Sequence, residues 1–135
     1  MRTGLFFGLI FMFVSLLCCN KPADERQYRF PIIELNHCGD TSIDGQTLQI
    51  CFDALLSDSR GPINAVCVWQ GEATVKLSLR TNGTQQFFKL STFNNPPTFR
   101  NDTTLFGYKI KLVSVSPYPG GDSHTPYRVE LSVSH

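Results

Sequence analysis

From Tyr28 onward, apolar and polar residues alternate with a period of two, and Gly, Pro, Asn and Asp break the alternation at short intervals. Period two is the signature of a half-buried strand, and apolar residues nowhere recur at i, i+3, i+4 and i+7 over three turns, so no helix is predicted. Arg29 to Leu35 reads as a first strand, with Pro31 favouring an edge or strand-start position. Asp44-Gly45 reads as a turn, after which Leu48, Ile50, Phe52 and Ala54 share one face of a second strand and leave Cys51 on the other. Asp58 to Asn64, with Gly61-Pro62, reads as a loop. Val66 to Arg80 reads as one long strand in which Cys67 and Trp69 share the parity of Ala73, Val75, Leu77 and Leu79, with Gly71 at a bulge.

Asn82-Gly83 is the strongest local signal. Asn-Gly between alternating strands specifies a two-residue type I′ turn, because both central residues must take positive φ. That turn fixes a register in which Leu77 faces Phe88 and Val75 faces Leu90. Asn94-Asn95-Pro96-Pro97 reads as a loop, Leu105 to Ser116 as a strand, and Pro117 to Pro126 as a Pro/Gly-rich loop. The final strand places Tyr127, Val129, Leu131 and Val133 on one face and Arg128, Glu130, Ser132 and Ser134 on the other. The pattern predicts an all-β protein, a single immunoglobulin-like β-sandwich of about seven antiparallel strands, each sheet having one buried and one wet face.

The first residues break this pattern. Met1-Arg2 is a short positive start, Leu5 to Leu17 is apolar apart from Gly8 and Ser15, and Cys18-Cys19 precedes the polar stretch Asn20-Lys21-Pro22-Ala23-Asp24-Glu25-Arg26. A helix over Leu5–Leu17 would be about 20 Å long, short of a hydrocarbon core of about 30 Å, so a spanning anchor is disfavoured. No Ala-x-Ala site precedes Asn20, which disfavours ordinary signal cleavage. Leu16-Leu17-Cys18-Cys19 resembles the lipobox of bacterial lipoproteins, with Cys19 as the lipidated residue. The expected organisation is a signal peptide over residues 1–18, a flexible tether over 19–27 and a β-sandwich domain over 28–135. The membrane is then a partner through the N-terminal lipid.

Removing the leader takes away Arg2 and brings the formal net charge from +1 to near zero. With no basic run, nucleic acid is not an expected partner. Cys38, Cys51 and Cys67 remain in the body, an odd number, which allows one bridge and leaves one thiol. His37-Cys38 could instead begin a metal site, but no further Cys or His follows at metal-ligand spacing, so no metal and no cofactor are expected.

Asp58-Ser59-Arg60-Gly61-Pro62 followed by Cys67-Val68-Trp69-Gln70-Gly71-Glu72-Ala73 resembles the signature of a family of uncharacterised bacterial lipoprotein β-domains of the Bacteroidetes type, D-S-R-C-P … C-V-W-x-G-E-A. Pro117-Tyr118-Pro119 and the closing Tyr127-x-Val129-x-Leu131 strand are similar too, so the resemblance runs from about Phe30 to Val133. It implies a fold and an envelope location but no activity. The chain departs from the signature at Gly61, where the family has its first cysteine. The resemblance therefore implies one disulfide that includes Cys67, paired with either Cys51 or Cys38.

No catalytic residue is expected. The chain lacks a Gly-x-Ser-x-Gly elbow, a His-Glu-x-x-His motif and a phosphate loop, and His37, His124 and His135 lie in loop or terminal positions. Asp122-Ser123-His124 is formally a triad composition, but neighbours on one loop rarely converge on one point. Asp58-Ser59-Arg60 reads as an Asx turn with an arginine paired to a carboxylate, Glu72 being the candidate partner, and Trp69 reads as core. The expected function is a lipid-anchored cell-envelope binding module, placed in the outer membrane of a Gram-negative bacterium, with an envelope protein or a glycan as partner. Its candidate recognition loop carries Pro117, Tyr118, Pro119, Asp122 and His124, with Asp58 to Asn64 beside it. An envelope protease inhibitor is the alternative.

Overall fold

A computed structural model describes residues 27–29, 32–68 and 70–135. The lipidation candidate Cys19, the leader, most of the tether and Trp69 lie outside the described residues. The elements are β1 (Gln27–Arg29), β2 (Ile33–Glu34), β3 (Cys38–Ile43), β4 (Gln46–Asp58), β5 (Ala73–Thr81), β6 (Thr84–Ser91), β7 (Asp102–Leu105), β8 (Tyr108–Ser116) and β9 (Arg128–Ser134). They form two antiparallel sheets, in the orders β3-β4-β5-β6 and β1-β9-β8-β7, with β2 also on β9. β1 and β2 pair with successive parts of β9 along the same edge, so each sheet is four strands wide.

The sandwich expected from the alternation is present. Its strand order is two meanders, closed by β1 and β2 returning to β9, rather than the ABED/CFG order of immunoglobulin domains. Residues from both sheets fill one core: Leu48, Ile50, Phe52, Val75, Leu77 and Leu79 from one, Ile110, Val129, Leu131 and Val133 from the other, all fully buried. Burying each such side chain contributes about 1.5–3 kcal/mol.

The register across Asn82–Gly83 is the one the turn chemistry demands: Leu77 opposes Phe88 and Val75 opposes Leu90. Three hairpins share this device, since Asp44-Gly45 (φ 49° and 80°), Asn82-Gly83 (48° and 77°) and Phe106-Gly107 (51° and 82°) all take positive φ at both central residues. The third splits the segment read as one strand, Leu105 to Ser116, into β7 and β8. A bulky residue at positive φ is uncommon, so Phe106 gave no turn signal.

Other differences have equally local causes. The strand expected over Val66–Arg80 begins only at Ala73. Gly71 marks a close backbone approach rather than a bulge: a Cβ there would lie 2.1 Å from the Ser59 carbonyl oxygen. A bulge between Phe52 and Ala54 rotates β4, so Leu55 takes the inward place opposite Val75 and Ala54 is only half-buried. A second bulge between Leu112 and Ser114 turns Val115 inward and leaves Val113 exposed.

Strand direction sorts the connections between two poles. The three two-residue turns lie at one pole together with Gln27, which pairs with Ser134, and His135, whose Nδ1 is 3.2 Å from Asp44 Oδ2. The opposite pole gathers the connections 35–37, 59–72, 92–101 and 117–127.

Candidate functional site

The loop pole is organised around Arg60. β4 ends at Asp58, and the Arg60 N–H donates to Asp58 Oδ1 at 3.2 Å, closing the expected Asx turn. The guanidinium then folds back onto the same carboxylate, with Nε–H on Oδ1 at 2.8 Å and Nη2–H on Oδ2 at 2.7 Å, a bidentate pair. Two more donors cross to the other sheet: Nη1–H reaches the Val115 carbonyl at 2.5 Å and Nη2–H the Pro117 carbonyl at 3.0 Å. The Tyr118 ring covers the outer side, its centroid 4.3 Å from Cζ. Both ionic side chains are almost fully buried, 6% and 7% exposed. Burial alone would lower the Arg60 pKa; the hydrogen bonds and charge of Asp58 outweigh it and hold the pKa above its ordinary value.

Glu72 is not the partner of Arg60. Its carboxylate accepts from the hydroxyls of Ser57 (2.8 Å), Ser91 (3.1 Å) and Thr74, while its N–H donates to Ser59 Oγ at 3.0 Å. Glu72 thus ties β4, β5 and β6 together where the sheet ends. The Asp58 side chain captures Arg60 because it lies two residues away with the geometry of the turn already set.

Between these anchors lies a polar cleft of about 270 Å³, lined by Arg60, Gly61, Gln70, Gly71, Thr92 and Tyr118. The loop over 117–126 and the Asp58–Asn64 loop are therefore neighbours, and a Cβ at Gly120 would lie 3.4 Å from Pro62. Tyr118 is half exposed, and Ile63, Val66 and Val68 project into solvent from the same connection, at 71%, 103% and 97% exposure. Ile63 lies in the expected Asp58–Asn64 loop, whereas Val66 and Val68 were missed because they read as strand positions.

Pro117 and Pro119, two of the candidate recognition residues, are half-buried at the base of the 117–126 loop, and the Ser116–Pro117 bond is cis. Asp122 and His124 are exposed at its tip. Asp122 Oδ1 accepts from the His124 N–H at 3.0 Å and lies 3.2 Å from His124 Nδ1, while Thr125 Oγ1 donates to Oδ2 at 3.4 Å. The hydrogen bonds from His124 hold the Asp122 carboxyl below its ordinary pKa. Ser123 is exposed, and its hydroxyl does not share in these hydrogen bonds. His37 Nδ1 lies 3.1 Å from the Leu35 carbonyl, and His135 stacks on Tyr108 at the opposite pole, so the histidines do not meet.

The expected disulfide to Cys67 is corrected by the structure. Cys38 bonds Cys51, and Cys67 is free. The reason is register: the Asp44-Gly45 turn sets Cys38 directly opposite Cys51 on the outer face of the β3–β4 hairpin. Backbone bonding from Phe52 N–H to the His37 carbonyl (3.0 Å) makes Cys38–Cys51 the intervening non-hydrogen-bonded pair, in which side chains approach most closely. The bridge also occupies Cys38, the sulfur of the His37-Cys38 pair. Cys67 sits against Gly61, where a Cβ would lie 2.1 Å from its Sγ. Among the described residues, no three His, Cys, Asp or Glu side chains cluster as metal ligands. The chain matches no family model, no curated protein and no solved structure.

Proposed function

We propose that the protein is a lipid-anchored cell-envelope binding module that engages a protein or glycan partner through its loop pole. One observation carries this reading. The long connections, which carry exposed Ile63, Val66 and Val68 and the cleft-lining Tyr118, lie at the pole opposite Gln27, where the tether would join the domain. Anchored through Cys19 in the outer membrane of a Gram-negative bacterium, the domain would present that pole away from the lipid. Exposed apolar side chains rimmed by polar groups are a usual mark of an interaction surface, and Arg60 fixes the two loops relative to each other so that a partner meets a formed surface.

The anchor is tested by Cys19→Ser and labelling of cells with a clickable fatty acid: the variant should lose label and leave the membrane fraction. Binding is tested by crosslinking the intact protein in envelopes. Val66→Asp with Tyr118→Ala should abolish the crosslinked partner, whereas Phe106→Asp at the turn pole should leave it; equal loss from both would overturn the reading. A second reading, an envelope protease inhibitor, is favoured by the protruding segment 63–68, whose base is held at Arg60 while Val66 and Val68 stand free to enter a cleft. A protease as the crosslinked partner, inhibited by the intact protein, would select it.

A further inference from the structure

β6 (Thr84–Ser91) is the longest unbroken sheet edge among the described residues, and its hydrogen-bonding phase determines which backbone groups are free. The Asn82–Gly83 turn makes Thr81 and Thr84 a hydrogen-bonded pair, and alternation along the register then bonds Gln86, Phe88 and Leu90 back to β5. Gln85, Phe87 and Lys89 turn their N–H and C=O groups outward. No backbone hydrogen bond to these six groups occurs among the described residues. Ser91, the next residue in the same phase, donates its N–H to the Arg100 carbonyl at 2.7 Å, which marks where the free edge ends.

The other edges are unsuited to self-pairing. On β3 the outward groups belong to Cys38, Asp40 and Ser42, so a symmetric pairing would oppose two Asp40 carboxylates directly. β7 has 4 residues, and β1 and β2 are separate short pieces.

We propose that the β6 edge pairs antiparallel with the β6 edge of a second copy, about a twofold axis between the two Phe87 residues. In this register Phe87 faces Phe87 and each Gln85 faces Lys89 of the other copy. It is the only antiparallel register that uses all six free groups on both strands. Sliding by two residues either way strands one pair of groups, and centring on Lys89 opposes two ammonium groups. The Lys89 charge, which would discourage indiscriminate edge pairing, thus selects this register. Phe87 is 57% exposed with the Lys76 ammonium 4.9 Å from its ring centroid, and the second Phe87 would complete the cover. The pairing joins two four-stranded sheets into one and leaves both loop poles free; it does not depend on the binding role proposed for them.

The test is sedimentation velocity of the intact protein over a concentration series, with Cys67 alkylated so that thiol exchange does not link copies, alongside amide hydrogen exchange. A monomer–dimer equilibrium is expected, with protection of the Gln85, Phe87 and Lys89 amides rising with concentration. Gln85→Glu places a carboxylate opposite each Lys89 and should tighten the dimer by roughly two- to thirtyfold, an effect lost in high salt. Gln85→Lys should abolish it, and adding Lys89→Glu should restore it. A monomer at every concentration overturns the proposal, as does indifference to Gln85→Glu. Protection independent of concentration would mean that another part of the chain covers the edge, and assemblies larger than dimers with protected Cys38–Ser42 amides would mean pairing of β6 with β3; either result also overturns it.

Discussion

The two poles of the sandwich reverse the chain by different physics. At the turn pole each reversal takes two residues at positive φ, and backbone geometry alone returns the strand. At the loop pole the connections 59–72, 92–101 and 117–127 are too long for that, and side chains replace the turn: Arg60 reaches carbonyls of β8 and of the loop after it, Glu72 collects three hydroxyls, and Phe93 packs edge-on against Phe99 across the Asn95–Phe99 bridge. A backbone turn tolerates almost any neighbour but little change in its own conformation. A side-chain-built pole depends on a few long-range partners and leaves the loop tips free to vary. The two poles thus hold the same strands by backbone conformation at one end and by a few buried side chains at the other.

Removing a partner from the Arg60 pair should break the contrast most severely. Asp58→Ala leaves a buried guanidinium without its carboxylate and should cost about 3–5 kcal/mol, read by urea denaturation. It should also loosen both loops, seen as faster amide exchange over 59–72 and 117–127 with β3–β6 little changed.

Giving the loop pole a covalent staple should sharpen the comparison in the other direction. Gly61→Cys places a Cβ 3.3 Å from the Cys67 Cβ, close to disulfide range. Non-reducing peptide mapping should find the 61–67 bridge beside the native Cys38–Cys51 bridge, and closing so small a loop should stabilise by about 2 kcal/mol.

At the turn pole, Gly83→Val should destabilise by more than about 1 kcal/mol, because a β-branched residue is strained at φ +77°. Nothing lies within 4 Å of the missing Cβ, so the cost is purely conformational and Gly83→Asn should recover most of it.

The smallest effect is expected at the tip of the 117–126 loop. Replacing Asp122, Ser123 and His124 with alanine should change stability by less than about 0.5 kcal/mol, since these residues are exposed. In the unsubstituted protein the Asp122 carboxyl, with its folded pKa depressed, should stay ionised below the ordinary carboxylate range. Its hydrogen bonds to His124 are present above the unfolded pKa and are lost as pH falls through the folded one, which an NMR titration of the Asp122 side chain would follow.

How much of this was legible depended on how far each feature reaches along the chain. Asp44-Gly45 and Asn82-Gly83 announce their turns locally, and the parity of Ala73, Val75, Leu77 and Leu79 follows from period two. Phe106-Gly107 reaches the same conformation with a residue whose type hides it. The bulges at Phe52/Ala54 and Leu112/Ser114 shift parity without a Gly or Pro to mark them. β3 was missed because Cys38–Ile43 fully buries only Ile43 and its residue types do not alternate between apolar and polar. In the site, the Asx turn at Asp58 and the proximity of the two loops were readable. The reach of Arg60 to Val115 and Pro117 was not, since nothing in the sequence near residue 60 points to a carbonyl more than fifty positions away. The cysteine pairing likewise needed the β3–β4 register, which depends on a strand with no pattern of its own.

The closure of the meander has a consequence in time. Every other strand pairing joins neighbours along the chain, separated by a turn or a loop, and such local hairpins form early and cheaply. Among the described residues β1 and β2 pair only with β9, about a hundred residues downstream. During synthesis β1 and β2 therefore wait unpaired until residues 128–134 emerge. Any chain cut short before β9 leaves that first strand without a partner and the inward faces of Ile33 and Ile110 uncovered, a state that quality-control proteases recognise by its exposed apolar surface.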